Sequence, residues 1–400
     1  MDLTMYVLRS VAYAIFGPYM ILVILLLGIM FYLKNRKISF TQKMIIGGSV
    51  NSPLELTLSQ FVLGIIAGAI GSLILTYFGV YFGENSGIEL VFLASVLLMF
   101  YKPKFFCFSY SSTILGLISM VLYLIFGDKS PINVSIINLM MFVGIIHLVE
   151  GVLVMADGSR GAFPVFTTRR GKIIGGFALK RYWAMPVAIM IIFTGTVYST
   201  GAEAVNTPEW WPLMNHGSTL DLLKTAVMGA FPFYGVIGYS SVTFAYSKGK
   251  KALISGAATI IYGMLMMIAA QLCRIGKAGE FMVLLFSPLA HEIMMKISYI
   301  IEERSSPIYI SDEHGMCVLE VYPGSKASEL GIRSGDKILE VNRKTIENEV
   351  DIYKLIKESC SDVNLKVKKM NGAIEDLTLT LDGRREIGLV VVPKIIRENR

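Results

Sequence analysis

Val321 to Asn342, VYPGSKASELGIRSGDKILEVN, is the stretch on which the reading of the fold turns. Val321 ends an apolar strand, Pro323-Gly324-Ser325 makes a turn, and small residues open a brief helix. Gly331 to Asp336, GIRSGD, follows, and a second apolar strand closes the stretch. A unit of this kind is compact and water-soluble in character. What precedes it has a different composition, so the chain reads as two parts.

The stretch resembles the core of a PDZ domain of the bacterial, circularly permuted type, where this run links two strands of a small, partly open barrel. The resemblance reaches from about Ser305 to Pro393. Arg343 stands where glycine is usual after Asn342, and Lys326 where a second proline is common. It implies a groove between a strand and a helix, into which an extended peptide adds as a further strand. The expected groove strands are Ile308 to Ile310 and Gly315 to Val321, which makes Ile308, Ile310, Gly315, Met316 and Val318 candidates. Opposite them stand Tyr353 and Ile356, on a helix from about Val350 to Glu358, and Ile387 to Val392 is expected as the closing strand. The alternative is a PDZ fold that only packs against its own membrane helix. His314 is expected in an exposed turn.

A mean hydropathy of +0.59 with 54% apolar residues over 400 residues is too oily for a soluble protein. The net charge is +7, but Ser305 to Arg400 carry 15 Lys or Arg against 16 Asp or Glu, which leaves +8 for the preceding part. The excess belongs to loops between spans, where positive charge sets orientation, and no nucleic-acid partner is indicated. Cys107, Cys273, Cys317 and Cys360 show no paired spacing, so neither a disulfide framework nor a zinc ribbon is indicated. Cys317 and Cys360 are expected as small core residues. The first apolar run is long enough to stay in the bilayer as an anchor.

Apolar runs at Val11 to Leu33, Leu54 to Phe78, Leu90 to Tyr101, Phe105 to Phe126, Ile132 to Met155, Ala184 to Ser199, Leu220 to Tyr246, Ala252 to Leu272 and Phe281 to Ile301 suggest eight or nine helical spans. Gly64, Gly68 and Gly71 are spaced to let helices approach closely. Loops rich in Lys and Arg alternate with poor ones. The strongest, Ala156 to Tyr182, holds Arg160, Arg169, Arg170, Lys172, Lys180 and Arg181 against Asp157 alone. It is read as a topogenic loop in contact with lipid headgroups, or as a docking surface. This pattern places the N-terminus outside and the PDZ-like domain in the cytoplasm.

Ionisable groups within spans call for a reason. His147 and Glu150 in HLVEG, and His291 and Glu292 in SPLAHEIMMK, are the two pairs. A His-Glu pair beside a PDZ-like domain is similar to site-2-type intramembrane metalloproteases, but zinc peptidases of the HExxH type need a second histidine one turn on, where Met295 stands. The catalytic motif is broken. Leu381, Asp382 and Gly383 match another short signature of that family only in a strand turn. The four polar residues are read as hydrogen-bonded packing between helices, with a metal shared by both pairs as the competing reading; no metal or cofactor is expected.

Many spans followed by one terminal PDZ motif, with HLVEG and the basic loop at 147 to 182 and SPLAHE at 287 to 292, resembles the MinJ-type division-topology proteins of Gram-positive bacteria. The resemblance implies a plasma-membrane scaffold, not an enzyme, that concentrates at septum and poles and bridges a DivIVA-type protein to the MinC and MinD inhibitors. A degenerate or active protease and a transporter are the other classes. The fold expected is an α-helical polytopic membrane domain over 1–304 and a small α/β PDZ-like barrel over 305–395. Membrane lipid, peptide segments at the groove and a second copy of the chain are the expected partners.

Overall fold

A computed structural model describes residues 2–193, 208–214, 227–358, 362–380 and 387–394. The first expected span is divided where Gly17 is extended and Pro18 opens a new helix, giving Leu3–Phe16 (α1) and Pro18–Ile46 (α2). Pro53–Tyr77 (α3) returns alongside them, begun by Ser52, whose side chain accepts from the Glu55 amide. Glu89–Tyr101 (α4), Phe108–Phe126 (α5), Ile136–Asp157 (α6), Lys248–Ala270 (α7) and Lys277–Arg304 (α8) complete this part. Among the described residues, six helices (α2, α3, α5, α6, α7 and α8) are long and apolar enough to cross a membrane. The third expected run, α4, has 13 residues and falls short of that length.

Helices expected over Ala184 to Ser199 and Leu220 to Tyr246 are corrected by the structure, within the residues it describes. These runs belong to two long strands, Lys172–Phe193 (β3) and Val227–Thr243 (β4), paired antiparallel from Phe177 with Thr243 to Phe193 with Val227. Each strand has a proline at mid-run, Pro186 and Pro232, and β4 adds Gly229, Gly235 and Gly238. Such residues disfavour a helix interior, and a run that is apolar on all sides shows no period to tell helix from strand. At one end of β3 the strand Phe163–Arg169 (β2) pairs with it, and at the other Tyr81–Gly83 (β1).

Between these two partners the second edge of β3 is covered by α3. A Cβ on Gly64 would stand 2.0 Å from the Ala184 carbonyl oxygen, and one on Gly68 2.1 Å from that of Pro186. The Ala188 amide donates to Ser72 Oγ at 2.9 Å, and Pro186 has no amide to satisfy on this edge. Of the glycine stripe read as a helix-helix contact, Gly64 and Gly68 thus make a helix-strand contact, and Gly71 faces Val149 of α6. Around it α6 forms the core, with Leu139 to Ile146 almost wholly buried. Facing α7, Gly144 and Gly151 lie against the backbone of Gly263 and Gly256.

The last part is a small sheet over a core of its own. Its strands are Met316–Val321 (β5), Lys337–Val341 (β6), Lys344–Thr345 (β7), Val363–Lys368 (β8), Ile374–Leu379 (β9) and Leu389–Val391 (β10), in the order β10-β5-β6-β8-β9 with β7 on β6. Lys326–Glu329 (α9) and Glu349–Glu358 (α10) are its helices. Strand β5 is buried on both faces. Met316 and Val318 enter the core of this sheet with Ile338, Ile352 and Ile356, whereas Cys317 and Leu319 turn the other way. With Val390 and Val392 they pack on Phe177 and Leu179 of β3, Ile46 of α2 and Ala252 of α7. Gly175 of β3 donates its amide to the Tyr309 carbonyl at 2.9 Å, and Lys248 pairs with Glu320 at 2.6 Å.

Replacing Gly64 by leucine is expected to force α3 off β3 and destabilise the membrane part by about 1–3 kcal/mol or more. Thermal unfolding of the full chain in detergent measures this. Gly83→Ala, where an added Cβ has open space, is the control and is expected to leave the transition unmoved.

Candidate peptide groove and polar cluster

The motif that opens the PDZ-like part builds the entrance to its edge strand. Tyr322 donates its amide to the Gly388 carbonyl at 2.7 Å, and Ala327 donates to that of Ile387 at 3.3 Å. Gly388 has φ +71, and a Cβ there would stand 2.3 Å from that of Ser325, so the turn into β10 requires glycine. Bonds to β5 leave from Gly388 and Val392, so by alternation the polar groups of Leu389 and Val391 face away from β5. On that side lies α10, whose Tyr353 hydroxyl donates to the Leu389 carbonyl at 3.0 Å. Val350 and Tyr353 are exposed beside it.

This geometry leaves the strands expected to line a groove without a free edge. Gly315, Met316 and Val318 lie in or beside β5, which has β10 on one side and β6 on the other, so no edge is free there. Ile308 and Ile310 flank Tyr309, whose carbonyl is bridged to Gly175 of the membrane part. Ile356 is buried in the core and Tyr353 borders the groove. The expected closing strand is the edge strand itself. Burial pushes the Cys317 thiol up to about 11.

The basic loop is a hairpin, β2 and β3, and its charges have separate roles. Arg181 is buried and bonds Asp157 through Nε at 2.9 Å and also through Nη2, while Trp183 donates to the same carboxylate oxygen at 3.0 Å. It is therefore a structural pair, not a surface charge. Arg160 pairs with Asp157 at 2.9 Å and Glu55 at 3.6 Å. Arg169 donates to the Glu303 and Ser305 carbonyls at the end of α8. Arg170, Lys172 and Lys180 are exposed.

The two polar pairs do converge, but with a different membership. His147 and His291 lie with ring centroids 5.9 Å apart, and Cys107, which its spacing does not link to either pair, completes the group with Sγ 3.0 Å from His147 Nε2. One ligand atom from each of the three falls within 4.8 Å of the others. Glu150 Oε2 is 3.9 Å from His147 Nε2. Glu292 is turned out, pairing with Lys104 at 2.6 Å and accepting from the Tyr110 hydroxyl at 2.7 Å. A cavity of about 380 Å³ adjoins them, lined by Cys107, Tyr110, Glu150, His291 and the β4 residues from Val236 to Ser241. Met295, in the place of a second motif histidine, also lines it. Leu381, Asp382, Gly383 and Cys360 lie outside the described residues.

The described residues hold six apolar helices long enough for a membrane ahead of a terminal sheet of this topology, and a PDZ domain model matches residues 318–369. The chain is similar to the cell division topological determinant MinJ of Bacillus subtilis, 24% identical over 63% of this chain and 60% of that relative. It is also similar to the probable cell division topological determinants MinJ of Lacticaseibacillus paracasei and Lacticaseibacillus casei, each 21% identical over 84% of this chain and 85% of the relative. No solved structure matches. The resemblance to MinJ-type PDZ proteins therefore holds, and these relatives are named as topological determinants rather than as enzymes.

Two outcomes follow from the geometry. Arg181→Ala leaves the buried Asp157 with only Arg160 and Trp183 and is expected to cost about 1–3 kcal/mol in a detergent unfolding assay, whereas Arg170→Ala is expected to cost less than about 0.5 kcal/mol. At pH 7.5 the folded chain is expected to keep Cys317 unalkylated by iodoacetamide for as long as it stays folded, since only a minor fraction is thiolate; peptide mapping by mass spectrometry reads this out.

Proposed function

We propose that the chain is a non-catalytic membrane scaffold in division-site selection, with a cytoplasmic PDZ domain, bridging a DivIVA-type protein to MinC- and MinD-type inhibitors. The observation that carries it is the outer edge of β10, with Leu389 and Val391 facing α10 across a short groove whose rim, Val350 and Tyr353, is exposed. A partner segment would add there as a strand, its backbone supplying affinity and its side chains specificity. The names of the relatives support the division role. Orientation rests on charge: the basic hairpin, Lys248 and the ends of α2 and α8 gather on the side where the PDZ domain packs, which is the side that positive residues keep in the cytoplasm. Met295 removes the HExxH pattern that a metalloprotease needs.

A fluorescent fusion of the chain is expected to concentrate at septum and poles; uniform membrane distribution would sink the reading. Gly388→Ala, which presses on Ser325 and strains φ, is expected to leave membrane insertion intact and lower co-purification of the division partners about tenfold or more. Unchanged recovery of partners would remove the groove from the mechanism.

A further inference from the structure

We propose that Cys107, His147 and His291 bind one zinc-class transition metal ion that ties α5, α6 and α8 together. These residues come from three separate elements: Cys107 is the residue before α5, His147 lies in the middle of α6, and His291 in the middle of α8. Their ligand atoms lie within 4.8 Å of one another, with Cys107 Sγ already 3.0 Å from His147 Nε2. Tetrahedral zinc with sulfur at about 2.3 Å and nitrogen at about 2.1 Å needs sulfur-to-nitrogen separations of about 3.6 Å, so shifts of an ångström or less suffice.

The surroundings select the same face of each ring. His147 Nδ1 lies 2.7 Å from the Val143 carbonyl, which fixes that nitrogen as the protonated one and leaves Nε2 with its lone pair toward Cys107. Tyr110 donates its hydroxyl to Glu292, so its oxygen is free to accept from His291 Nδ1 at 3.3 Å, and the Nε2 of that ring is the one left to coordinate. Glu292, held by Lys104, is thus an outer support and not a ligand. Glu150, one turn beyond His147 and with Oε2 3.9 Å from the same Nε2, lies outside the three-residue group and would swing in to supply the fourth ligand through oxygen. One thiolate, two imidazoles and a carboxylate form a donor set for zinc or cobalt(II) rather than for calcium or magnesium. A bland alternative is a Cys107 thiol donating to His147 with no ion. It leaves unexplained why His291, the backbone acceptor and the Tyr110 support all converge on one point.

The test uses the purified full chain in detergent under reducing conditions. Zinc by elemental analysis is expected near one equivalent per chain. Cobalt(II) added after chelator treatment is expected to give a near-ultraviolet thiolate-to-cobalt band together with intense tetrahedral ligand-field bands. Cys107→Ser should abolish the thiolate band, His291→Ala should weaken cobalt binding roughly tenfold or more, and Cys273→Ser should change neither. Zinc below about a tenth of an equivalent together with no thiolate-to-cobalt band in the unmodified chain would overturn the proposal, as would a band that survives in Cys107→Ser. The first measurement needs no variant, so misfolding of a mutant cannot rescue the idea.

Discussion

A strand at membrane depth must not leave its backbone groups to hydrocarbon, and the structure is arranged around meeting that demand for β3. Each unsatisfied amide or carbonyl in lipid costs several kcal/mol, which is why open sheet edges are excluded there unless protein covers them. One edge of β3 is paired with β4. The other is taken in turn by β2, α3 and β1, and only the absence of side chains at Gly64 and Gly68 lets α3 come close enough to do it. The position of α3, the course of α1 and α2 beside it, and the burial of α6 behind the sheet all follow from this cover. Small residues here act as they do between helices, but the surface they admit is a strand.

That hairpin also determines how the PDZ domain sits. Its β2-β3 end extends beyond α3 to meet the outer faces of β5 and β10, so the module is seated on the membrane part by an apolar cluster rather than hung from a free linker. Glu302, near the end of α8, accepts from the amides of Phe244 and Ala245 and from Lys251, fixing the chain just before it enters the PDZ domain. The edge of β10 therefore has a fixed direction relative to the membrane part, which a flexible tether would not give it.

Legibility in the sequence followed the physics of each signal. The run from Val321 to Asn342 combined turn residues with period-two strands and was read as a PDZ core, and the residues around Ser325 turned out to hold the entry of the edge strand. The membrane strands were misread because length and hydropathy say nothing of period in a run that is apolar throughout; Pro186 and Pro232 were the available warnings. The identity of the edge strand was hidden, since it depends on pairing between residues about 70 apart, Glu320 with Val390 among them. His147 and His291 were legible as costly polar groups, but Cys107 was not. It stands before its helix, and nothing in its spacing to either histidine shows that it lies beside them.

The polar cluster and the PDZ domain are linked by α8, which carries His291 near its middle and Glu302 near its end. Pro288 interrupts the hydrogen-bond ladder of that helix three residues before His291, so the first half of α8 can be held by α5 through Thr113, which donates to the Leu284 carbonyl at 3.1 Å, without dictating the second half. What aligns the second half is polar: His291 against Cys107, His147 and Tyr110, then Glu292 on Lys104, then Glu302 on β4 and α7. A helix that is largely exposed on the protein has few packing contacts with which to set its direction, and directional bonds serve that purpose at a small number of points. The polar groups that resembled a degenerate catalytic centre are therefore placed where α8 is fixed by directional bonds, at its approach to the PDZ-like sheet.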